Sequence, residues 1–155
     1  MRKSDLSFCV LLVSLKLYFD TSVFVSLWKF EQHGPLGIPV SHYSEMLLED
    51  VLSCRHSIAT SSITLKEIQL KYDYLAENAV ELFERLQNAG KLDLLPSLEL
   101  EEEAERLNKT LGVGRKDCVH ILASRNCDCL VSLDNGLIAA SKGITNALKP
   151  QDLLF

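Results

Sequence analysis

The chain has 155 residues, of which 47% are hydrophobic and 24% are charged, and its formal net charge is -5. This length and apolar fraction predict a single globular domain with a buried core. The net charge argues against a general nucleic-acid coat protein, because that class carries a basic face, but it allows an enzyme whose acidic site is neutralised by metal ions.

The first residues of the chain combine positive charge with a short apolar run. Met1-Arg2-Lys3 precedes the apolar residues 8–13, as in a secretory signal peptide, but no A-x-A cleavage site follows. Lys16 ends this run well short of a membrane span. We therefore expect residues 1–14 to form an N-terminal extension or the first part of strand 1, residues 15–155 to form the domain, and no association with a membrane.

The five cysteines are an odd number, which excludes a complete disulfide framework within one chain. A zinc site is one alternative, but CxH and CxC spacings send neighbouring side chains to different faces of a helix or strand. The residues with these spacings are Cys118, His120, Cys127 and Cys129. We expect buried cysteines in a reducing compartment, and therefore a cytoplasmic protein.

The stretch from Leu15 to Val23 predicts a buried strand that ends in Asp20, Thr21 and Ser22. An acid at the carboxyl end of a buried strand lies where open α/β sheets bind their ligands. Alternatively, one of these short oxygen-bearing side chains caps the next helix. The sequence leaves both roles open for Asp20.

A second acid follows the second predicted strand. Residues 56–62 predict that strand, and Thr64-Leu65-Lys66-Glu67 comes directly after it. This is the pattern of a capping box, in which Thr64 caps a helix and Glu67 reaches back to it. Glu67 either has this capping role or points from the first helical turn into the same crevice as Asp20.

The rest of the chain alternates helices with short apolar strands, which predicts an α/β fold with a mostly parallel central sheet. Gly112-Val113-Gly114 follows a predicted helix, so it indicates a helix stop and not a phosphate loop. Asp117 begins a buried helix, and Asp134 ends an apolar strand but also begins an Asp-Asn-Gly turn signal. We expect helices over 22–30, 41–54, 74–88, 98–111 and 118–126, broken by a loop at 33–39, and further strands over 92–95, 129–134 and 144–148.

Four acids thus stand at predicted strand ends or in first helical turns: Asp20, Glu67, Asp117 and Asp134. In a doubly wound fold all of them point to one edge of the sheet. Two unit charges about 5 Å apart repel by roughly 3 kcal/mol at an effective dielectric constant of about 20, so a cation or protons must offset them. Hard oxygen ligands favour Mg²⁺ or Mn²⁺. The chemistry that such ions support is phosphodiester hydrolysis, in which the metal activates water and stabilises the leaving oxygen.

Four segments of the chain resemble the PIN-domain family, and in particular the VapC-type toxins of bacteria and archaea. They are Tyr18-Phe19-Asp20-Thr21-Ser22-Val23, Ser62-Ile63-Thr64-Leu65-Lys66-Glu67, Asp117 ahead of Val119-His120-Ile121-Leu122-Ala123, and Leu130-Val131-Ser132-Leu133-Asp134. The resemblance implies a three-layer α/β/α domain and a Mg²⁺- or Mn²⁺-dependent endoribonuclease. It assigns Asp20, Glu67, Asp117 and Asp134 to catalysis and to the metal site, and it gives Thr21 and Ser22 the role of orienting the first acid.

The resemblance also implies partners. Family members are commonly homodimers, and the toxins are silenced by a small antitoxin whose tail inserts into the active site. The chain departs from the family at Asn135-Gly136, where many relatives carry a further acid and an aromatic residue. Three cations flank the acids and either contact RNA phosphates or remain solvated; they are Lys66, Arg115 and Lys116.

The leading hypothesis from the sequence is a metal-dependent ribonuclease that is the toxin of a type II toxin–antitoxin pair. An RNA-processing PIN nuclease is a second reading of the same residues. A PIN-like binding protein without catalysis is the alternative from another functional class.

Overall fold

A parallel sheet of five strands forms the centre of the chain. The computed structural model describes residues 14–29, 37–54 and 56–154. The strand order is β3-β2-β1-β4-β5, and every pairing between neighbours is parallel. The strands are β1 (Lys16–Phe19), β2 (Ser57–Ser61), β3 (Leu92–Leu95), β4 (Cys129–Val131) and β5 (Ala147–Leu148). The predicted α/β fold with a mostly parallel sheet is confirmed.

Helices connect the strands, because parallel strands need long crossover connections, which are usually helical. Within the described ranges they are α1 (Thr21–Ser26), α2 (Val40–Ser53), α3 (Ser62–Lys71), α4 (Ala76–Asn88), α5 (Glu101–Leu111), α6 (Arg115–Ala123) and α7 (Asn135–Ala140). Short 3₁₀ turns at Asp73–Leu75, Leu98–Leu100, Ser124–Asn126 and Pro150–Leu153 complete the connections. None of the helices in these ranges is long and apolar enough to cross a membrane.

The sheet separates two apolar layers, because successive side chains of a strand point to opposite faces. Leu17 and Phe19 of β1 pack in one cluster with residues of α1, α2 and α4. Tyr18, between them, packs on the other face with Ile121 of α6 and Leu137 of α7. Helices therefore cover both faces of the sheet, which confirms the three-layer α/β/α arrangement.

The first strand lies in the middle of the sheet and creates a crevice at its carboxyl end. From β1 the chain passes to β2 and β3 on one side, and then crosses to β4 and β5 on the other. The Asp20 amide donates to the Val131 carbonyl over 3.2 Å, so β1 and β4 remain paired up to their ends. Beyond that point the chain turns away into α1 and α7, and open α/β sheets bind ligands at such a switch point.

Several predicted boundaries differ from the structure. The Asp-Asn-Gly signal at Asp134 precedes the helix α7, which the sequence analysis did not predict, because the same residue types begin turns and cap helices. The last strand is only Ala147–Leu148. Gly112 ends α5 in the left-handed conformation, with φ of 71°, so the predicted helix stop is confirmed. The predicted end of the first helix at residue 30, most of the loop at 33–39 and nearly all of the extension 1–14 lie outside the described residues.

Candidate active site

An open cleft of about 360 Å³ lies at the carboxyl ends of β1 and β4. All four acids singled out in the sequence line it: Asp20, Glu67, Asp117 and Asp134. Each comes from a different part of the chain, namely the end of β1, the middle of α3, the first turn of α6 and the start of α7. The fold therefore brings together the carboxylates that the sequence predicts at one sheet edge.

Asp20 is held by hydrogen bonds to both of its carboxylate oxygens. The Ser22 hydroxyl donates to Oδ1 over 2.5 Å, and the Ser132 hydroxyl donates to Oδ2 over 2.5 Å. The Val23 amide also donates to Oδ1, over 3.3 Å, so Asp20 caps α1 and lines the cleft at once. Burial raises the pKa of Asp20 above its ordinary value, although His120, Ser132 and Ser22 oppose that rise.

The two serines also join the ends of the neighbouring strands. Ser22 accepts a hydrogen bond from the Leu133 amide over 3.0 Å, and Ser132 accepts one from the Asp134 amide over 3.0 Å. Each hydroxyl thus donates to Asp20 and accepts from the segment after β4. Ser22 orients the first acid, in line with its predicted role, and Ser132 does the same without having been given a role from the sequence.

Thr21 contacts a different acid from the one expected. Its hydroxyl donates to Oε1 of Glu67 over 2.9 Å, and no bond from this hydroxyl to Asp20 is present in the described structure. Successive residues of a helix point about 100° apart, so Thr21 and Ser22 cannot both face Asp20 at the start of α1. Thr21 therefore supports the second acid of the cleft.

Of the two alternatives that the sequence leaves open for Glu67, the capping box with Thr64 is not formed. The helix α3 begins at Ser62, three residues earlier than that pattern implies. Thr64 is buried, and its hydroxyl bonds to the Thr60 hydroxyl at 2.8 Å instead of capping the helix. Glu67 points into the cleft, where tertiary partners replace the local backbone amide as hydrogen-bond donors.

Glu67 is bound most closely by a buried histidine. His120 Nε2 lies 2.6 Å from Glu67 Oε1, and Lys71 Nζ lies 3.9 Å from Oε2. Burial alone raises the pKa of Glu67, but the hydrogen bond and charge of His120, with smaller contributions from Thr21 and Lys71, bring it below the ordinary value. Glu67 is therefore ionised near neutral pH, and because a carboxylate only accepts hydrogen bonds, His120 Nε2 carries the donated proton.

A chain of buried hydrogen bonds fixes His120 from behind. The Tyr18 hydroxyl lies 2.8 Å from His120 Nδ1 and 2.8 Å from the Ser61 hydroxyl. The two rings meet edge to face at a centroid distance of 5.7 Å. Burial raises the pKa of Tyr18, which keeps its hydroxyl protonated. The imidazole is thus locked between a strand of the sheet and the acid that it orients.

Sequence reasoning gave His120 no role at the acids, although one signal was available. The residue lies three positions after Asp117 on an apolar helix, and residues three apart share a helix face. The rejected zinc reading placed His120 with three cysteines. In the structure Cys118 packs in an apolar cluster with Ala104 and Val119, which fits the expected role of a buried small hydrophobic residue.

Asp117 is half-buried and, among the described residues, its carboxylate forms no hydrogen bond or ion pair. Burial raises its pKa, and the charge of Asp134 raises it further. His120 opposes the rise, whereas Glu67 and Asp20 add to it. The acids of the cleft are therefore close enough to destabilise one another's charge.

Asp134 combines both roles that the sequence left open. It caps α7, since its Oδ1 accepts from the Gly136 amide over 2.8 Å and from the Leu137 amide over 3.2 Å. It is also exposed and lines the cleft. A Cβ on Gly136 would lie 3.2 Å from the same Oδ1, so a side chain at that position would press on this carboxylate.

The carboxylate oxygens of the cleft are the type of ligand that a hard divalent cation prefers. The charges of Asp134, Glu67 and Asp20, which add to the effect of burial in raising the pKa of Asp117, create a negative potential that a cation would offset. Among the described residues no three His, Cys, Asp or Glu side chains are already arranged to hold one ion. Asp20, Glu67, Asp117 and Asp134 are the residues that would hold it, after side-chain adjustment.

The cleft also contains cations that the sequence analysis did not select. Lys29 and Lys71 line it, together with Tyr72, whereas Lys66, Arg115 and Lys116 are absent from its lining. Lys71 could have been found, because it lies four residues after Glu67 on the same helix face. Phosphate contacts by the three predicted cations remain a prediction, for a surface outside the cleft.

Comparison with models of protein families and with curated proteins finds no match. Among solved structures, the chain is similar to a chain of VapBC2 from Rickettsia felis, which was solved bound to a DNA fragment from the promoter. The TM-score is 0.60 and the sequence identity is 16%, and the match covers 87% of this chain and 98% of that one. It is also similar to PAE2754 from Pyrobaculum aerophilum, with a TM-score of 0.50 and 17% identity over 90% of this chain and 86% of that one. At such identities the likeness shows the fold, which is the PIN-like three-layer fold that the resemblance in the sequence implies.

Proposed function

We propose that the chain is a divalent-metal-dependent endoribonuclease that hydrolyses phosphodiester bonds. One observation carries the proposal: four carboxylates from four separate elements line a single cleft at the switch point of the sheet. Such a concentration of acids weakens the fold when no cation is bound, because each buried carboxylate loses hydration and repels its neighbours. Binding of Mg²⁺ or Mn²⁺ by these acids is a function that requires this arrangement.

Each acid has its own support for this chemistry. Asp20 is fixed by Ser22 and Ser132, and Glu67 is fixed by Thr21 and His120, so both carboxylates keep their orientation as substrate enters. Asp117 is the acid most available to a new partner. A bound divalent ion would supply charge neutralisation and Lewis-acid polarisation of the phosphodiester. Hydrolysis then joins a water oxygen to phosphorus and breaks one P–O ester bond.

The biological role that we propose is that of a toxin in a toxin–antitoxin pair. The support is the fold that this chain shares with VapBC2, together with the motif resemblance in the sequence. On this proposal a small antitoxin blocks the cleft, and the active toxin is a homodimer. Growth arrest on expression of the wild-type chain in bacteria, relieved by the Asp20→Asn substitution, is the expected result. Sedimentation of the purified chain tests the dimer.

The enzymatic proposal is tested with the purified chain and single-stranded RNA in Mg²⁺ or Mn²⁺. Asp20→Asn removes one charge with little change in volume, and we expect it to lower the cleavage rate by about 100-fold or more. Asp93→Asn is the matched control, because Asp93 lies outside the cleft in a surface ion pair with Lys16. Equal cleavage by wild type and Asp20→Asn would refute the assignment.

Metal binding can be measured without RNA. Mn²⁺ at about 100 times its dissociation constant should stabilise the folded chain by about 2.7 kcal/mol, which raises the melting temperature. Asp20→Asn and Asp117→Asn should each reduce this rise, whereas Asp93→Asn should keep it. A wild-type chain whose melting temperature does not respond to Mn²⁺ or Mg²⁺ would favour the PIN-like protein without catalysis.

A further inference from the structure

Besides its acids, the cleft contains two ammonium groups and one aromatic ring. They belong to Lys29, Lys71 and Tyr72, which lie after α1, at the end of α3 and directly after α3. We call Lys29 and Lys71 the lysine pair. These residues share one cavity with the candidate catalytic acids, so a ligand of the acids would be within reach of the lysine pair.

Lys71 forms a long ion pair with Glu67, a candidate metal ligand. Its Nζ lies 3.9 Å from Oε2 of Glu67, which is the outer limit of an ion pair, and 61% of its side chain is exposed. An exposed pair at this distance contributes little to stability. An ammonium has three donors, so Lys71 keeps donors for a ligand while it remains beside Glu67.

Lys29 is held against an aromatic ring. Its Nζ lies 4.7 Å from the centroid of the Tyr72 ring, within the range of a cation–π interaction. Tyr72 is itself partly buried against the main apolar cluster of the domain, and its amide closes the end of α3 by donating to the Ile68 carbonyl over 2.8 Å. The ring is therefore a firm support that places the Lys29 ammonium at the cleft.

The charge balance of the cleft indicates that the lysine pair contacts phosphate groups. Four carboxylates line the cavity, and one divalent metal ion offsets only part of their negative charge. The remaining charge repels a polyanion such as RNA. The phosphate that is cleaved must lie at the acids, so its neighbours along the strand need cations of their own. The lysine pair supplies these within the same cavity, whose volume is about 360 Å³.

We propose that Lys29 and Lys71 bind the phosphate adjacent to the scissile one in single-stranded RNA, and that Tyr72 positions the Lys29 ammonium for this contact. The inference rests on the proposed nuclease function, which it extends by naming where the substrate backbone lies. Because ammonium groups read phosphate and not base edges, this contact gives affinity and register without sequence preference.

The test is binding of a short fluorescent single-stranded RNA to the full chain, measured by anisotropy in a fixed concentration of Ca²⁺, which would offset the charge of the acids, over a range of NaCl concentrations. For single strands the logarithm of the binding constant falls with the logarithm of salt concentration by about 0.7 per phosphate contact. Lys29→Gln and Lys71→Gln should each weaken binding and each reduce this slope, and because the two lysines share one phosphate, the double variant should reduce it by about 0.7 in total. Slopes equal to that of the wild type in both single variants would overturn the proposal.

Lys109→Gln is a matched control. Lys109 is exposed on α5 and absent from the lining of the cleft, so removal of its charge should leave affinity and slope unchanged. A slope that falls for Lys66→Gln, which changes one of the cations predicted to contact phosphate outside the cleft, and not for the lysine pair would overturn the proposal.

The positioning role of Tyr72 has its own readout. Tyr72→Phe keeps the ring, so RNA affinity should equal that of the wild type, whereas Tyr72→Leu should lower affinity by about two- to five-fold. Equal affinity of the Leu and Phe variants would overturn the role of Tyr72. These measurements need no catalysis, so loss of the proposed nuclease function, shown by RNA that stays intact in Mg²⁺ and Mn²⁺, is a separate result.

Discussion

The buried contact between His120 and Glu67 gives a prediction with a defined size. The two side chains are 2% and 8% exposed, and their polar atoms lie 2.6 Å apart. A hydrogen bond to a charged group contributes about 1.5–3 kcal/mol, and a buried charge left without its partner costs about 3–5 kcal/mol. Since the Thr21 hydroxyl stays on Glu67 after His120→Leu, we expect the free energy of unfolding to fall by about 3 kcal/mol at pH 7.

Urea unfolding of the purified variants measures this loss. Adding Glu67→Gln to His120→Leu removes the charge left without its partner, so the double variant should recover at least half of the loss. His42→Leu is the control, since His42 is exposed on α2 and its removal should change stability by less than about 0.5 kcal/mol. A loss below about 1 kcal/mol for His120→Leu, or further destabilisation by Glu67→Gln, would refute the reasoning.

The same pair predicts a pH dependence. In the wild type the pKa of Glu67 lies below its ordinary value of 4.5, so the stability it contributes is present above that pH and is lost as pH falls through the lower, folded pKa. In His120→Leu burial remains without its main counterweight, so the pKa of Glu67 rises. Urea unfolding over a range of pH should therefore show a difference in stability that shrinks as pH falls through the raised pKa of Glu67 in the variant, and shrinks further below about 4.5.

Two further predictions concern the other acids. Asp117→Asn should raise the melting temperature at pH 7 in EDTA, because the raised pKa of Asp117 means that its charge weakens the fold above pH 3.8; the gain should vanish in scans below that pH. Ser132→Ala removes a buried donor to Asp20 and the acceptor of the Asp134 amide, so urea unfolding should show a loss of about 1–3 kcal/mol. Unchanged stability of Ser132→Ala would mean that water replaces the hydroxyl.

The sheet and the location of the cleft follow from patterns that a sequence displays. Buried strands that alternate with helices must pair in parallel, and parallel strands end at one edge, so Asp20 and Asp134 could be assigned to a common site. The same logic fails for side chains whose partners come from distant elements. Thr64 and Glu67 have the spacing of a local capping box, but Thr60, Thr21 and His120 satisfy them instead.

The choice of cations shows the same limit. Lys66 was selected because it is next to Glu67 in sequence, yet adjacent residues of a helix point about 100° apart. Lys71, one helical turn later, shares the face of Glu67 and lines the cleft. Lys29 owes its place to contact with Tyr72, which no local pattern records. Helical geometry predicts that Lys71 faces the cleft, whereas only the tertiary structure reveals that Lys29 does.

The hydroxyl of Ser132 that holds Asp20 lies 112 positions later in the chain, and the histidine that Tyr18 supports lies 102 positions later. During synthesis β1 is made before the other strands of the sheet. Asp20 therefore has no Ser132 to bond with until that later segment has been added. At about 5–20 residues per second, roughly 6 to 20 seconds separate the appearance of Asp20 from that of Ser132. The cleft can therefore form only after the segment up to Asp134 has been synthesised, and a shorter nascent chain does not contain all four acids.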